Sequence, residues 1–246
     1  MIALILAAGY GTRLYPLAKE TPKALLPVGE KPILQYLLEK VCALDSPPRE
    51  ILLVSNHRYA GKFQSWFQGS GLKIPWSVLD DGSTSEENRL GSMGDLAFAI
   101  NSRGLKEDLL VLGSDNLFRD GLQGFAEFAC RKGPTVTVGV YELENRAEAS
   151  RYGVLVVDPT GRIREFKEKP PKPSSALVST AIYFFPHPSL NWVLQYLHSQ
   201  QSADTLGKFI QWLITRCPVF AYRFRGRWFD IGDIGSYTKA QESFVP

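Results

Sequence analysis

Cysteine is scarce in this 246-residue chain: Cys42, Cys130 and Cys217 are its three, far apart and without a Cys-x-x-Cys pair. That excludes a disulfide framework and a cysteine zinc site, and predicts reduced core thiols in a cytoplasmic protein. The histidines are equally few, and His57, His187 and His198 lack metal-ligand spacing. Charge of one sign is missing as well. Lys plus Arg number 28 and Asp plus Glu 25, dispersed along the chain, for a formal +3. So mild an excess argues against nucleic-acid binding and suits a small anionic substrate. No apolar run reaches the ~18 residues of a membrane span. The apolar opening, residues 1–8, lacks a basic leader, so neither a membrane partner nor a signal peptide is expected.

What is present is an ordinary globular composition, 44% hydrophobic and 22% charged, enough for one substantial core. The run IALILAA (2–8) reads as a strand covered on both faces. A Gly-containing turn follows, then Pro32 at a first helical position ahead of Ile33, Leu37, Val41 and Leu44. A second buried strand is expected over 50–55, and a helix with Phe63, Trp66 and Phe67 that Gly69 stops. Further strands are read over 74–79 and 109–112, with a helix over 94–100 between them. From about residue 134 the texture changes to strands over 135–141, 153–157, 163–167 and 176–185, joined by loops alone. Helices follow around Leu190–Leu197 and Leu206–Leu213, then a strand over 219–224.

The alternation implies an α/β fold: a Rossmann-like mixed, mostly parallel sheet flanked by helices, with a β-rich second half. One domain is expected over 1–246, nucleotide-binding mainly in 1–133 and sugar-phosphate-binding mainly in 134–246.

The first turn carries chemistry. GYGTR (9–13) follows a buried strand, and glycines let backbone N–H groups point at a phosphate. The Walker sequence G-x-x-x-x-G-K-[ST] occurs nowhere. A dinucleotide fingerprint fails because Leu14 takes the place of its third small residue, and SNH (55–57) offers no acid for a ribose. What remains is a glycine loop with Arg13 inside it and Lys23 shortly after. A planar fork and a compact positive point suit the roughly four negative charges of a triphosphate.

The stretch LAAGYGTRLYPL (6–17), continued by PKALLPV (22–28), resembles the signature of the sugar-phosphate nucleotidyltransferases, or nucleoside-diphosphate-sugar pyrophosphorylases. The likeness runs on in the same order through LGSMGD (90–95), GSDN (113–116), EKP (168–170), STAIY (179–183) and WFDIG (228–232). It implies a fold of the glycosyltransferase-A-like type, and transfer of a nucleotidyl group from an NTP to a sugar 1-phosphate with release of pyrophosphate. The left-handed β-helix domain of some relatives is not expected.

By that resemblance, Arg13 and Lys23 are the catalytic cations. Leu6, Ala8, Gly9, Gly11, Thr12, Asp80 and Gly91 belong to the nucleotide site. Gly153, Glu168, Lys169 and Thr180 belong to the sugar phosphate. Asp115 and Asp230 hold Mg2+, which takes one or two carboxylates and completes its octahedron with phosphates and water. Substrates are the partners implied, and a homo-oligomer is in keeping with the family.

Some residues depart from the family's pattern. The acidic segment DDGSTSEENR (80–89) is longer than the usual base-reading segment and lacks the glutamine of the thymidylyltransferase branch. An acid there accepts from uracil or thymine N3–H or from cytosine N4, which favours a pyrimidine; a polar surface loop is the other reading. Asp95 stands where a small apolar residue is usual, and Ser179-Thr180-Ala181 replaces the common Asn-Ala-Gly. A nucleotide-sugar-binding regulatory relative and a non-sugar phosphorylated acceptor remain as alternatives. Arg223, Arg225 and Arg227 are read as one face of the last strand.

Overall fold

The computed structural model describes residues 1–199 and 205–244. Its elements are β1 (Ile2–Leu6), β2 (Pro27–Val28), β3 (Lys31–Pro32), α1 (Ile33–Cys42), β4 (Ile51–Ser55), α2 (His57–Gly69), β5 (Trp76–Asp80), α3 (Gly91–Arg103), β6 (Leu109–Gly113), β7 (Asn116–Phe118) and α4 (Gln123–Arg131). There follow β8 (Val136–Glu142), β9 (Gly153–Val157), β10 (Ile163–Glu168), β11 (Leu177–Phe185), α5 (Leu190–His198), α6 (Leu206–Leu213), β12 (Val219–Phe224), β13 (Trp228–Asp230) and α7 (Ile234–Ser243).

A nine-stranded mixed sheet runs through both halves of the chain in the order β10-β9-β11-β6-β1-β4-β5, with β8 joining β11 to β12. β6, β1, β4 and β5 are parallel, and β11 closes this block antiparallel to β6. Successive residues of β1 go to opposite layers, as strand geometry demands. Ile2 and Leu4 enter the core under α3, α5 and α6. Ala3 and Ile5 enter the core under α1, α2 and α4. Burying one such Ile or Leu contributes about 1.5–3 kcal/mol. Both faces being covered explains the continuous apolar reading of the opening run.

Several boundaries differ from the sequence expectation. Pro32 is the residue before α1 and not its first: with ψ 149° it is extended, because it pairs with Pro27 in the short β2–β3 hairpin. Gly69 is the last residue of α2, and the left-handed turn falls at Gly71 (φ 66°). α3 is longer than its apolar run, since Gly91 at φ 76° opens it. Two helices went unread. α4 buries only Phe125 and Ala129, and α7 buries only Ala240, its start set by an Asp233–Ser236 capping box. Between β8 and β9 a 3-10 stretch covers Arg146–Arg151, so those strands are not joined by loops alone.

Cys130 is exposed, while Cys42 and Cys217 are half-buried. Of the three late arginines only Arg223 lies on β12, where it pairs with Glu142; Arg225 and Arg227 fall in the turn, whose Arg225 N and Gly226 N donate to Asp120. Among the described residues no helix is long and apolar enough to cross a membrane.

Candidate active site

Two cavities open along the ends of the parallel strands, where α/β sheets place their ligands. The first, of about 290 Å³, is lined by Ala8, Gly9, Tyr10, Gly11, Thr12, Lys23, Gly91 and Asp95, among others. The second, of about 490 Å³, is lined by Asp115, Gly153, Glu168, Lys169, Thr180, Trp228 and Asp230, among others. Leu6, Arg13, Ser92 and Thr205 line both. Residues from each end of the chain thus meet at one junction.

The glycine loop is shaped by two constraints. Gly11 is left-handed at φ 64°, and a Cβ there would stand 3.2 Å from Ala18 Cβ and 3.6 Å from Lys23 Cβ. Glycine takes that turn without strain and leaves room for that approach, which brings the Lys23 segment beside the loop. Buried Asn56 fixes the loop from below: its Nδ2 donates to Ala8 O at 2.9 Å while its Oδ1 caps α2 through Tyr59 N.

Asp115 reaches the junction from the turn between β6 and β7, and Asp230 from the end of β13. The β7–β13 pairing sets them side by side, with Asp230 opposite Asn116 and Ile231 N donating to Asp115 O at 3.0 Å. Trp228 Nε1 donates to Asn116 Oδ1 at 2.7 Å and locks this small sheet. Lys23 Nζ donates to Asp115 Oδ2 at 2.7 Å. Burial, and then the charge of Asp115, pushes the Asp230 carboxyl up from the usual range, while Lys23, Arg13 and Arg151 pull the other way. A buried carboxylate held beside a second one, as Asp230 is beside Asp115, is a donor set that a divalent cation relieves. Among the described residues no group of three or more His, Cys, Asp or Glu is arranged for a metal, so this pair fits an ion that takes its remaining ligands from substrate phosphates and water. Magnesium is such an ion.

On the other side, β10 ends at Glu168 and Lys169 takes a left-handed φ of 45°. That reversal lets neighbouring residues, which would otherwise face opposite ways, line one cavity. The Glu168 carboxylate lies in a slot between two glycines. A Cβ on Gly153 would strike Phe166 and come within 3.2 Å of Glu168 Oε2, and a Cβ on Gly207 would overlap Glu168. Ala181, also at the cavity, has φ 56° and interrupts the β11–β8 register.

Of the residues that the resemblance assigns to the site, all but Asp80 line one of the two cavities. Asp80 ends β5 with its Oδ2 2.7 Å from His57 Nδ1. In its place the acidic segment brings Glu86 and Arg89, 3.0 Å apart, to the first cavity. Arg151 and Thr205 were not read from the sequence. Arg151 bonds Asp233 at 2.5 Å at the rim, and nothing in its surroundings in sequence marks it; Thr205 is legible only as the N-cap of α6.

A family model described as nucleotidyl transferase matches residues 2–245. A putative mannose-1-phosphate guanyltransferase of Sulfolobus acidocaldarius is 33% identical over 230 residues, 94% of this chain and 59% of that protein. A UTP–glucose-1-phosphate uridylyltransferase of Synechocystis is 31% identical over 250 residues, 98% of this chain and 62% of that protein. The chain therefore spans about three fifths of the length of these relatives. The crystal structure of a putative glucose-1-phosphate thymidylyltransferase from Bacillus anthracis, in complex with a sucrose, superposes with a TM-score of 0.80 at 23% identity, covering 98% of this chain and 94% of that one. That likeness establishes the fold.

Proposed function

The chain belongs to the nucleotidyl transferase family, and on that premise we propose that it transfers a nucleotidyl group from an NTP to a sugar 1-phosphate, releasing pyrophosphate. The observation that carries the reading is the junction itself. Arg13, Lys23, Asp115 and Asp230 converge between a cavity framed by the glycine loop and a second one walled by Glu168, Lys169 and Thr180.

In this reading the glycine loop, Ala8 to Thr12, holds the triphosphate, and Arg13 and Lys23 supply fixed positive charge to its phosphates. Lys169 binds the phosphate of the sugar and Glu168 accepts from its hydroxyls. A phosphate oxygen of the sugar 1-phosphate attacks the α-phosphorus in line, and pyrophosphate departs on the opposite side with the bonding electrons. No covalent enzyme intermediate is required. Catalysis is positioning together with preorganised charge that matches the growing negative charge of the leaving group. Asp115 and Asp230 would hold Mg2+, which when bound supplies further positive charge at the phosphates.

For the base, a pyrimidine is the preferred reading. Glu86 is the acid that segment 80–89 brings to the nucleotide cavity, and a carboxylate accepts from uracil or thymine N3–H or cytosine N4. The guanyl, uridylyl and thymidylyl names of the similar proteins do not share one base.

The deciding experiment measures pyrophosphate release with Mg2+ over a panel of NTPs and dNTPs against sugar 1-phosphates. One productive pair is expected and fixes base and sugar together. Absence of both turnover and NTP binding overturns the reading.

A further inference from the structure

Among the described residues four buried side-chain oxygens lack a hydrogen-bond partner: Tyr10 Oη, Asp81 Oδ2, Asp95 Oδ1 and Thr137 Oγ1. Such orphans are uncommon and call for an ion, a water or a function. Three of these four belong to one cluster beside the nucleotide cavity, which Tyr10 and Asp95 line. Asp95, in the second turn of α3, is 5% exposed and Tyr10 is 6% exposed. Asp81 is pinned from below: its N donates to Ser55 O, and its Oδ1 accepts from Ser83 N and Ser83 Oγ, both at 2.7 Å. Its carboxyl group meets that of Asp95. Ser83 and Asp81 also face the Tyr10 hydroxyl.

Two ionised carboxylates cannot share a buried contact without a compensating charge. Among the described residues the charged group acting on Asp95 is Asp81. Arg58 of α2 and Asp80 of β5 act instead on Tyr10; Arg13, Lys23, Glu86 and Arg89 line the same cavity as Asp95, and Leu4 of β1, Val54 of β4 and Leu206 of α6 stand in the apolar core beside α3. A single proton between the carboxyls resolves the conflict.

We propose that Asp95 is a positioning residue for the nucleotide site, sharing a proton with Asp81 and thereby tying the first turns of α3 to the loop after β5 and to Tyr10. Both ends of that tie carry cavity residues, Gly91 and Ser92 on α3 and Glu86 and Arg89 on the loop. Ionisation of both acids makes the tie repulsive and spreads the cavity. Burial first, and the charge of Asp81 next, pushes the Asp95 carboxyl up to about 8, so the change falls on the alkaline side of neutrality. The proposal rests on the nucleotide reading of this cavity.

The test is steady-state pyrophosphate release between pH 6 and 9.5 for the wild type, Asp95→Asn and Asp95→Ala, with KM for each substrate resolved. In the wild type, KM for NTP is expected to climb above pH 8, by up to about tenfold per pH unit, while KM for the sugar 1-phosphate does not follow. Asp95→Asn, whose amide replaces the acid form, lacks the alkaline climb and recovers the NTP binding that Asp95→Ala loses. An Asn variant as impaired as the Ala variant, or one with the wild-type pH profile, overturns the proposal.

Thermal unfolding without substrates reads the proton independently of any catalysis. Asp95 holds its proton more tightly folded than unfolded, so its stabilisation is complete below the usual carboxyl range and is lost as pH rises through about 8. The melting temperature of the wild type should therefore fall relative to Asp95→Asn as pH rises from the usual carboxyl range to about 8 and level off above it, whether or not the chain transfers nucleotides. A melting temperature raised by K+ or Na+ in the wild type but not in Asp95→Asn would make this a cation site and overturn the proposal.

Discussion

Lys23 Nζ stands 2.7 Å from Asp115 Oδ2, and this ion pair stitches the two cavities together, Lys23 lining the smaller and Asp115 the larger. The lysine also lowers the proton affinity that Asp115 forces on Asp230. It therefore conditions the carboxylate pair as well as offering charge to a phosphate.

Removal of either cation should be costly. Lys23→Ala and Arg13→Ala are each expected to lower turnover by about 10²–10³, the usual cost of deleting one preorganised charge partner. Pyrophosphate-release rates at saturating substrate check this, and near-normal turnover in Arg13→Ala would remove that residue from the mechanism.

Asp230→Asn separates activity from stability. Turnover with Mg2+ should be nearly abolished, whereas the metal-free protein should melt higher, because the variant takes a buried, repelled carboxylate out of the fold. A lower melting temperature would show that the Asp230 charge is balanced in the free protein.

Gly207→Ala tests the slot around Glu168. The added methyl occupies the place of the Glu168 carboxylate, so KM for the sugar 1-phosphate should rise by about tenfold or more while KM for NTP holds, a shift of about 1.4 kcal/mol. Equal increases in both constants would mean that α6 itself had moved.

Ala181→Gly should stabilise the protein. Ala181 sits at φ 56°, a conformation that costs an L-residue about 1–2 kcal/mol, and glycine relieves it at some cost in chain entropy. For a chain of this size, a net gain of about 1 kcal/mol appears as a rise of about 2–4 °C in melting temperature. Ala181→Val should move it the other way.

Much of this architecture was legible because burial writes itself into sequence. β1, β4 and β6 are covered on both faces and read as apolar runs, and α1 shows its apolar stripe in Ile33, Leu37 and Val41. α7 was not legible because it lays a mostly polar helix on the surface and buries a single alanine. The site divides along the same line. The glycine loop and the residues of the ordered motifs could be located in the chain, since their types and spacing carry the signal. The partnership of Asp80 with His57 depends on where α2 begins beside the end of β5, and the contact between Asp81 and Asp95 on how the 81–90 loop folds back. Neither arrangement has a sequence period.

The small β7–β13 sheet has a consequence for biosynthesis. Asp115 and Asp230 are neighbours only through a pairing that spans more than a hundred residues of chain. During translation the glycine loop, Lys23 and Asp115 emerge well before β13 does. A ribosome-bound chain can thus complete its parallel strands while the proposed metal site still lacks one of its two acids, and that site should form only once β13 has emerged to pair.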